Sequence, residues 1–420
     1  MQLPQIHEVR TDGMRLLAVR THTKDVVVIV GSILGGSHMQ PVSKRAVAWT
    51  MEDLLDAGTK KHTKEELRDQ LSSLGASLSF SCGGDRLFFE ATCLPEDIDT
   101  VLGIVVECLT EATFPKKEIE LSIKRQIAGR TESKSDTGRE AVRALERTLY
   151  EKSHPGYTMT ADEGIVSLRK VTRKDIVDMY RKLGRTGLTF AIGGDIDPEK
   201  CLRLAERKLK ALPEGKFAPT VMPVPKRQPK KEVLVKIKDK ANVDVMLGVR
   251  ALINRDHPQF LAFRVLLSLL GGGGISTGHL MRTVRERDGL TYGIRAFAAE
   301  FADRADGYMA IWATFAPKVY EKGVETIRKE VRSFFRNGIT KELLEAKKEE
   351  MLGKYLVGLS TTSGLVSTLH GNAIEDKETA YLLEYPKELQ KLTLDDIHNA
   401  RKLVPLTELS LAAAGTFAKP

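Results

Sequence analysis

The sequence predicts an α+β fold built twice along one chain, each copy an antiparallel-rich sheet with helices on one face. Three observations predict it. Two pairs of matching segments recur at nearly one offset, a Pro-rich stretch lies between the copies, and within each copy hairpin-linked strands are segregated from helices rather than alternating with them.

The first pair is SLRKVTRKDIVDMYRKL, residues 167–183, and ELQKLTLDDIHNARKLV, residues 388–404. Both contain Thr-x-x-Asp (Thr172/Asp175 and Thr393/Asp396), an N-cap signature in which the hydroxyl and the carboxylate each satisfy a free backbone N–H. From Thr172 to Thr393 the offset is 221 residues. The second pair is Ala91-Thr92-x-x-Pro95 and Ala313-Thr314-x-x-Pro317, with an offset of 222 from Pro95 to Pro317. Such a period is far above that of solenoid repeats, so what is repeated is a domain.

In chain order, VVVIV at residues 26–30 is a buried strand, much too short to span a membrane. AWTMEDLLDAGT at residues 48–59 has helical apolar spacing and ends on Gly58. A hairpin follows, then an amphipathic helix after Pro95 or Pro317, then a second helix opening at Phe114-Pro115 or at Gly338-Ile339-Thr340. Each Thr-x-x-Asp helix leads into an apolar closing strand, residues 187–194 or 407–415. The expected domains are therefore 1–212 and 232–420, with 213–231 as linker.

The net charge of +9 is concentrated at that linker: residues 207–240 hold eleven basic and three acidic side chains, with five prolines. A Pro-rich basic segment without interleaved aromatics is a solvated, semi-rigid spacer, which argues against a nucleic-acid partner. No stretch argues for a membrane partner. The opening MQLPQIHEVR lacks the apolar centre of a signal peptide, and the four cysteines form no CxxC pair. Buried free thiols in a reducing, cytoplasmic setting are expected.

Two motifs invite chemistry. Trp49, Glu52 and Asp53 stand at i, i+3 and i+4, on one helical face, which is the spacing of His-x-x-Glu-His metal helices. By themselves Glu52 and Asp53 read as acidic residues on a helix. The nine histidines include no pair at i, i+3 or i+4, and no nucleophile elbow is visible. Gly273-x-x-x-x-Gly278 nearly matches a phosphate loop, but His279-Leu280 stand where Lys-Ser/Thr would hold phosphate and magnesium, which rejects that reading.

GGSHMQPVSKRAVAWTMEDLLDAGTKKHTKEEL, residues 35–67, resembles the N-terminal metal segment of the inverzincin zinc peptidases, the family that includes insulinase and the mitochondrial processing peptidases. The resemblance puts Trp49 and Asp53 at the two histidine positions and leaves Glu52 as a remnant of the catalytic glutamate. It puts the third ligand in SIKRQIAGRT, residues 122–131, at Gly129, a stretch without any carboxylate. A catalytic zinc needs three protein ligands and an open position, so the chain is expected to hold no metal and to have no catalytic residue of its own.

GGGGISTGHLMRTVRERDGLTYGIRAF, residues 271–297, resembles the second-domain segment of the same family, where a Gly-rich loop and an Arg/Tyr pair hold substrate. That implies substrate-binding roles for Gly271, Gly272, Gly273, Gly274, Arg285 and Tyr292. The residues themselves read as a helix over 279–287, Gly289 as its C′ residue and a strand from Leu290, which can bring Arg285 beside Tyr292. Arg offers a fixed fork of donors and Tyr a neutral hydroxyl, together suited to a peptide carbonyl and its oxyanion. Spacing alone favours a solvated Arg and a Tyr packed on a sheet; the family register favours the pair.

In this family the two-domain unit often works as two subunits, one bringing the zinc motif and the other the Arg/Tyr pair. The resemblance thus implies a non-metal, substrate-binding subunit of a heterodimeric zinc endopeptidase acting on peptides. It would be inactive alone, with zinc in a homologous His-x-x-Glu-His partner. The alternatives are a catalytically inert scaffold and a peptide-binding homodimer of the same fold.

Overall fold

A computed structural model describes residues 4–272, 278–301, 304–337 and 339–417. Gly273, Gly274 and Gly338 lie outside the described residues. The chain packs as two units: Met1–Ala128 with Glu163–Thr220 and Tyr355–Glu384, and Gly129–Asp162 with Val221–Lys354 and Tyr385–Pro420. Among the described residues no helix is long and apolar enough to cross a membrane.

The first unit is built on six strands: β1 (Ile6–Thr11), β2 (Met14–Arg20), β3 (Val27–Leu34), β4 (Ser77–Gly83), β5 (Arg86–Cys93) and β6 (Leu188–Gly194). Their order is β1-β2-β6-β3-β5-β4, antiparallel except for β2 beside β6. Asp12 and Gly13, with φ of 48° and 76°, close the β1–β2 hairpin, as the Asp-Gly pair favours when both turn residues need positive φ. One sheet face sends Leu16, Ile29, Ile33, Phe89 and Ile192 into a core shared with Val101 and Val105 of the Ile98–Glu111 helix. The other face presents Leu17, Val19, Val30 and Ala191, which Leu365, Val366 and Leu369 of the Thr362–Ile374 helix cover.

The second unit has β7 (Glu232–Lys236), β8 (Val243–Arg250), β9 (Gly293–Ala299), β10 (Tyr308–Phe315) and β11 (Ser410–Gly415) in the order β7-β11-β8-β10-β9, with β7 and β11 parallel. Val245, Leu247, Phe263, Leu266, Ile311, Phe315 and Phe334 fill its core. The Thr137–Leu149 helix packs on the opposite face against β8 and β11.

The two sheets share one register. In the first, Ile29 pairs with Ala91 and Ile192, Ala91 with Leu78, and Ile192 with Ala18. In the second, Val245 pairs with Ala313 and Ala413, Ala313 with Ile294, and Ala413 with Leu234. Thus β2-β6-β3-β5-β4 repeats as β7-β11-β8-β10-β9, and β1 is an addition to the first copy. Thr172 and Thr393 both form complete capping boxes with Asp175 and Asp396, and Pro95 and Pro317 both open a short 3₁₀ turn before a helix. The two-fold α+β architecture is that of the sequence reading.

One feature of the packing is not sequential. Each unit takes most of its chain from one sequence half and a helix from the other: Thr137–Leu149 packs in the unit of β7–β11, and Thr362–Ile374 in that of β1–β6. These helices begin alike, capped by Asp136 and Thr361 side chains. Helices therefore gather on one face of each sheet, and an exchanged segment covers part of the other, with Leu359 and Leu382 beside the Thr362–Ile374 helix in the first unit.

Candidate functional site

The segment with the metal-helix spacing folds as the short helix Ala46–Glu52, followed by Asp53 as its C-cap. The helix does not run on to Gly58. From Leu54 the bonds tighten, Leu54 N–H to Met51 and Leu55 N–H to Glu52, and the chain turns away at Gly58 with φ of 121°. Leu54 and Leu55 are both buried, so the tighter coil puts two consecutive leucines into the core.

The three side chains on this face are engaged with protein. The Asp53 carboxylate accepts from the Ser122 hydroxyl and the Arg125 guanidinium, both on the helix Lys116–Ser133. Glu52 accepts from the Cys82 backbone N–H at 2.9 Å, at the edge strand β4. Burial pushes its carboxyl up to about 7, against the hydrogen bond from Cys82, and the neighbouring Asp53 charge raises it further. Half-buried Trp49 carries an indole N–H, a donor without a lone pair for a metal. Gly129 lies on Lys116–Ser133 with no atom within 4 Å of where a Cβ would stand.

These residues do not fit a catalytic zinc. Asp53 is neutralised by a guanidinium, and Glu52 is tied to the backbone. Among the described residues no group of three or more His, Cys, Asp or Glu side chains is placed to hold a metal ion. An open cleft of about 430 Å³ beside Asp53 is walled by ion pairs, Arg125 on Asp53 and Lys64 on Glu118 at 2.5 Å.

The Gly-rich segment of the second half brings its expected pair together. Residues 281–287 form a wide, π-helical turn, with Asp288 N–H reaching Thr283. Gly289 ends it at φ of 61°, its N–H on Arg285 and the Leu290 N–H on Val284, and β9 starts at Gly293. The Arg285 guanidinium carbon lies 5.6 Å from the centroid of the Tyr292 ring, which is 87% exposed. Arg285 also points Nη1 at the Met281 sulfur, 3.6 Å away.

Sequence reasoning missed what holds this turn. Glu330, buried on the helix Tyr320–Asn337, accepts from Arg287 at 3.0 Å and meets His279 Nε2 at 3.1 Å, which pins both ends of the π-helical turn. Burial lowers the His279 pKa against the pull of Glu330. The pairing spans 43 residues between Arg287 and Glu330, so no local signal announces it. Gly271 and Gly272 end the helix Phe260–Gly271. A Cβ on Gly271 would stand 2.8 Å from the Ala296 backbone nitrogen, so glycine there lets the helix end lie against β9.

Two family models match the chain. "Insulinase (Peptidase family M16)" matches residues 15–162, and "Peptidase M16 inactive domain" matches residues 170–351. Among curated proteins, the Helicobacter pylori "Non-peptidase homolog YmxG" is 24% identical over 369 residues, covering 87% of this chain and 83% of its own. The Bacillus subtilis "Uncharacterized zinc protease YmxG" is 22% identical over 409 residues, 96% of each chain. The crystal structure of a peptidase M16 inactive domain from Pseudomonas fluorescens matches with a TM-score of 0.89 at 21% identity, covering 99% of this chain and 100% of its own. Its similarities thus include M16 proteins named as inactive or non-peptidase. With the duplicated sheet and the two matched models, the chain belongs to the insulinase-type M16 peptidase family.

Proposed function

We propose that this chain is the substrate-binding, non-metal subunit of a two-subunit M16 endopeptidase. It grips a peptide for a homologous partner whose His-x-x-Glu-His motif supplies the zinc. The observation that carries the reading is Arg285 held over the exposed Tyr292 ring, in a chain whose Trp49, Glu52 and Asp53 cannot form a metal site. A guanidinium fork beside a phenol hydroxyl offers several donors to one carbonyl oxygen, and such donors gain strength as charge develops on it. The "non-peptidase" name of the Helicobacter pylori relative supports a chain without activity of its own.

The test is to co-express the chain with a family member carrying an intact metal motif and to substitute Arg285→Ala and Tyr292→Phe. The complex should form as before while peptide turnover falls by roughly 100- to 1000-fold, the usual cost of one lost oxyanion donor. Wild-type turnover with both changes present would make the chain a scaffold.

A further inference from the structure

A second constellation lies along β9, on the face away from the core. Ile294 and Ala296 are buried, so Arg295 and Phe297 face outward, into a groove of about 500 Å³ between β8–β10 and the Thr137–Leu149 helix. Arg139, Val142, Met246 and Trp312 also line its wall.

The Arg295 guanidinium carbon sits 5.0 Å from the Phe297 ring centroid and 5.5 Å from that of Trp312, its partner across the β9–β10 ladder. Trp312 is itself fixed, donating Nε1–H to Asp244 at 3.0 Å. The carboxylates around the groove are already occupied. Asp244 also accepts from Thr137 at 2.5 Å and Asn242 at 2.7 Å. Glu146 accepts from Tyr308 at 2.8 Å and Thr158 at 2.5 Å, and Asp136 caps its helix and pairs with Arg139 at 3.3 Å. Among the described residues Arg295 has no carboxylate partner.

A guanidinium stacked against two rings keeps its in-plane donors free, in the geometry that binds a carboxylate in bidentate fashion. A stacked surface Arg that only stabilises an edge strand would have no need of a concavity; this one lines a groove with room for a side chain.

We infer that the Arg295 groove binds a carboxylate of an acidic peptide.

The chain has two tryptophans, so Trp49→Phe leaves Trp312 as a reporter inside the groove. In that background three peptides of one core sequence are titrated against Trp312 emission: one with a central Glu and an amidated end, its Gln counterpart, and the Gln peptide with a free carboxyl terminus. The Glu peptide should bind roughly tenfold more tightly than the amidated Gln peptide, as expected for a charge-assisted pair. Arg295→Ala should erase that difference, and Arg295→Lys should restore part of it. A preference for the free-ended Gln peptide that Arg295→Ala removes keeps the carboxylate site and assigns it to a peptide terminus. Equal affinity for all three, no response at about 1 mM of any of them, or a preference that survives Arg295→Ala in a chain of unchanged melting temperature overturns the inference. Because the chain is titrated alone, this result is independent of whether Arg285 and Tyr292 affect a partner's turnover.

Discussion

The Asp53 carboxylate receives the guanidinium of Arg125, at a position that the resemblance to the zinc peptidases assigns to a metal-binding histidine. The pair joins the end of the Ala46–Glu52 helix to Lys116–Ser133, and it occupies a carboxylate that a cation would compete for.

The purified chain should therefore carry no stoichiometric zinc, because a zinc site needs three ligands and one of these positions is an indole and another an ion-paired Asp. Elemental analysis after gel filtration in micromolar zinc decides it. One zinc per chain, lost on Glu52→Ala or Asp53→Ala, would refute the prediction.

Glu52 should make stability depend on pH. Its folded-state pKa is raised to about 7 from an ordinary 4.5, with burial the main cause. Between those values the unfolded chain has released a proton that the folded chain keeps, so this group's contribution is whole below pH 4.5 and fades as pH rises through 7. Glu52→Gln, still able to accept from the Cys82 N–H, should match wild type near pH 4.5 and exceed it by roughly 1 to 3 kcal/mol at pH 8. Melting curves across that range test it; a difference that stays flat with pH counts against a buried, neutral Glu52.

The exchanged helix can be probed through one glycine. A Cβ on Gly193 would stand 2.5 Å from Val366 Cγ2 and 2.9 Å from Val19 Cγ1. Gly193→Ala should cost about 1 to 3 kcal/mol by overpacking. Val366→Ala should offset part of that cost, giving a coupling of about 0.5 to 3 kcal/mol in a double-mutant cycle. Strict additivity would mean that Thr362–Ile374 does not rest on β6.

A buried ion pair anchors the other exchanged segment. Arg250 and Asp306, each with 2% side-chain exposure, pair beside His154 and Tyr150, and Arg250 donates to the Lys226 carbonyl at 2.7 Å. Asp306→Ala strands a buried guanidinium and should cost roughly 3 to 5 kcal/mol, whereas Arg250→Met with Asp306→Leu should cost far less. Urea unfolding compares them, and a double variant as unstable as the single one would contradict the argument.

What the sequence determined by itself was everything whose cause lies within a few residues. Thr172-x-x-Asp175 and Thr393-x-x-Asp396 satisfy their own helix N-termini, so the caps and the duplication they mark were legible at once. Gly289 tolerates a positive φ, and that local turn carries Arg285 back to Tyr292. The apolar runs that became β3, β6 and β11 declared themselves as strands by composition. Tertiary structure decided the rest. Thr137–Leu149 and Thr362–Ile374 are helices by local pattern, but which sheet each covers depends on surfaces far away in the chain. The end of the metal-like helix at Glu52, the Asp53–Arg125 pair, the Glu330 anchor and the stacking of Arg295 on Trp312 likewise join residues that only packing makes neighbours. Capping and turn preferences act through backbone hydrogen bonds a few residues long, whereas burial rewards any apolar or paired surface, whatever its distance in sequence.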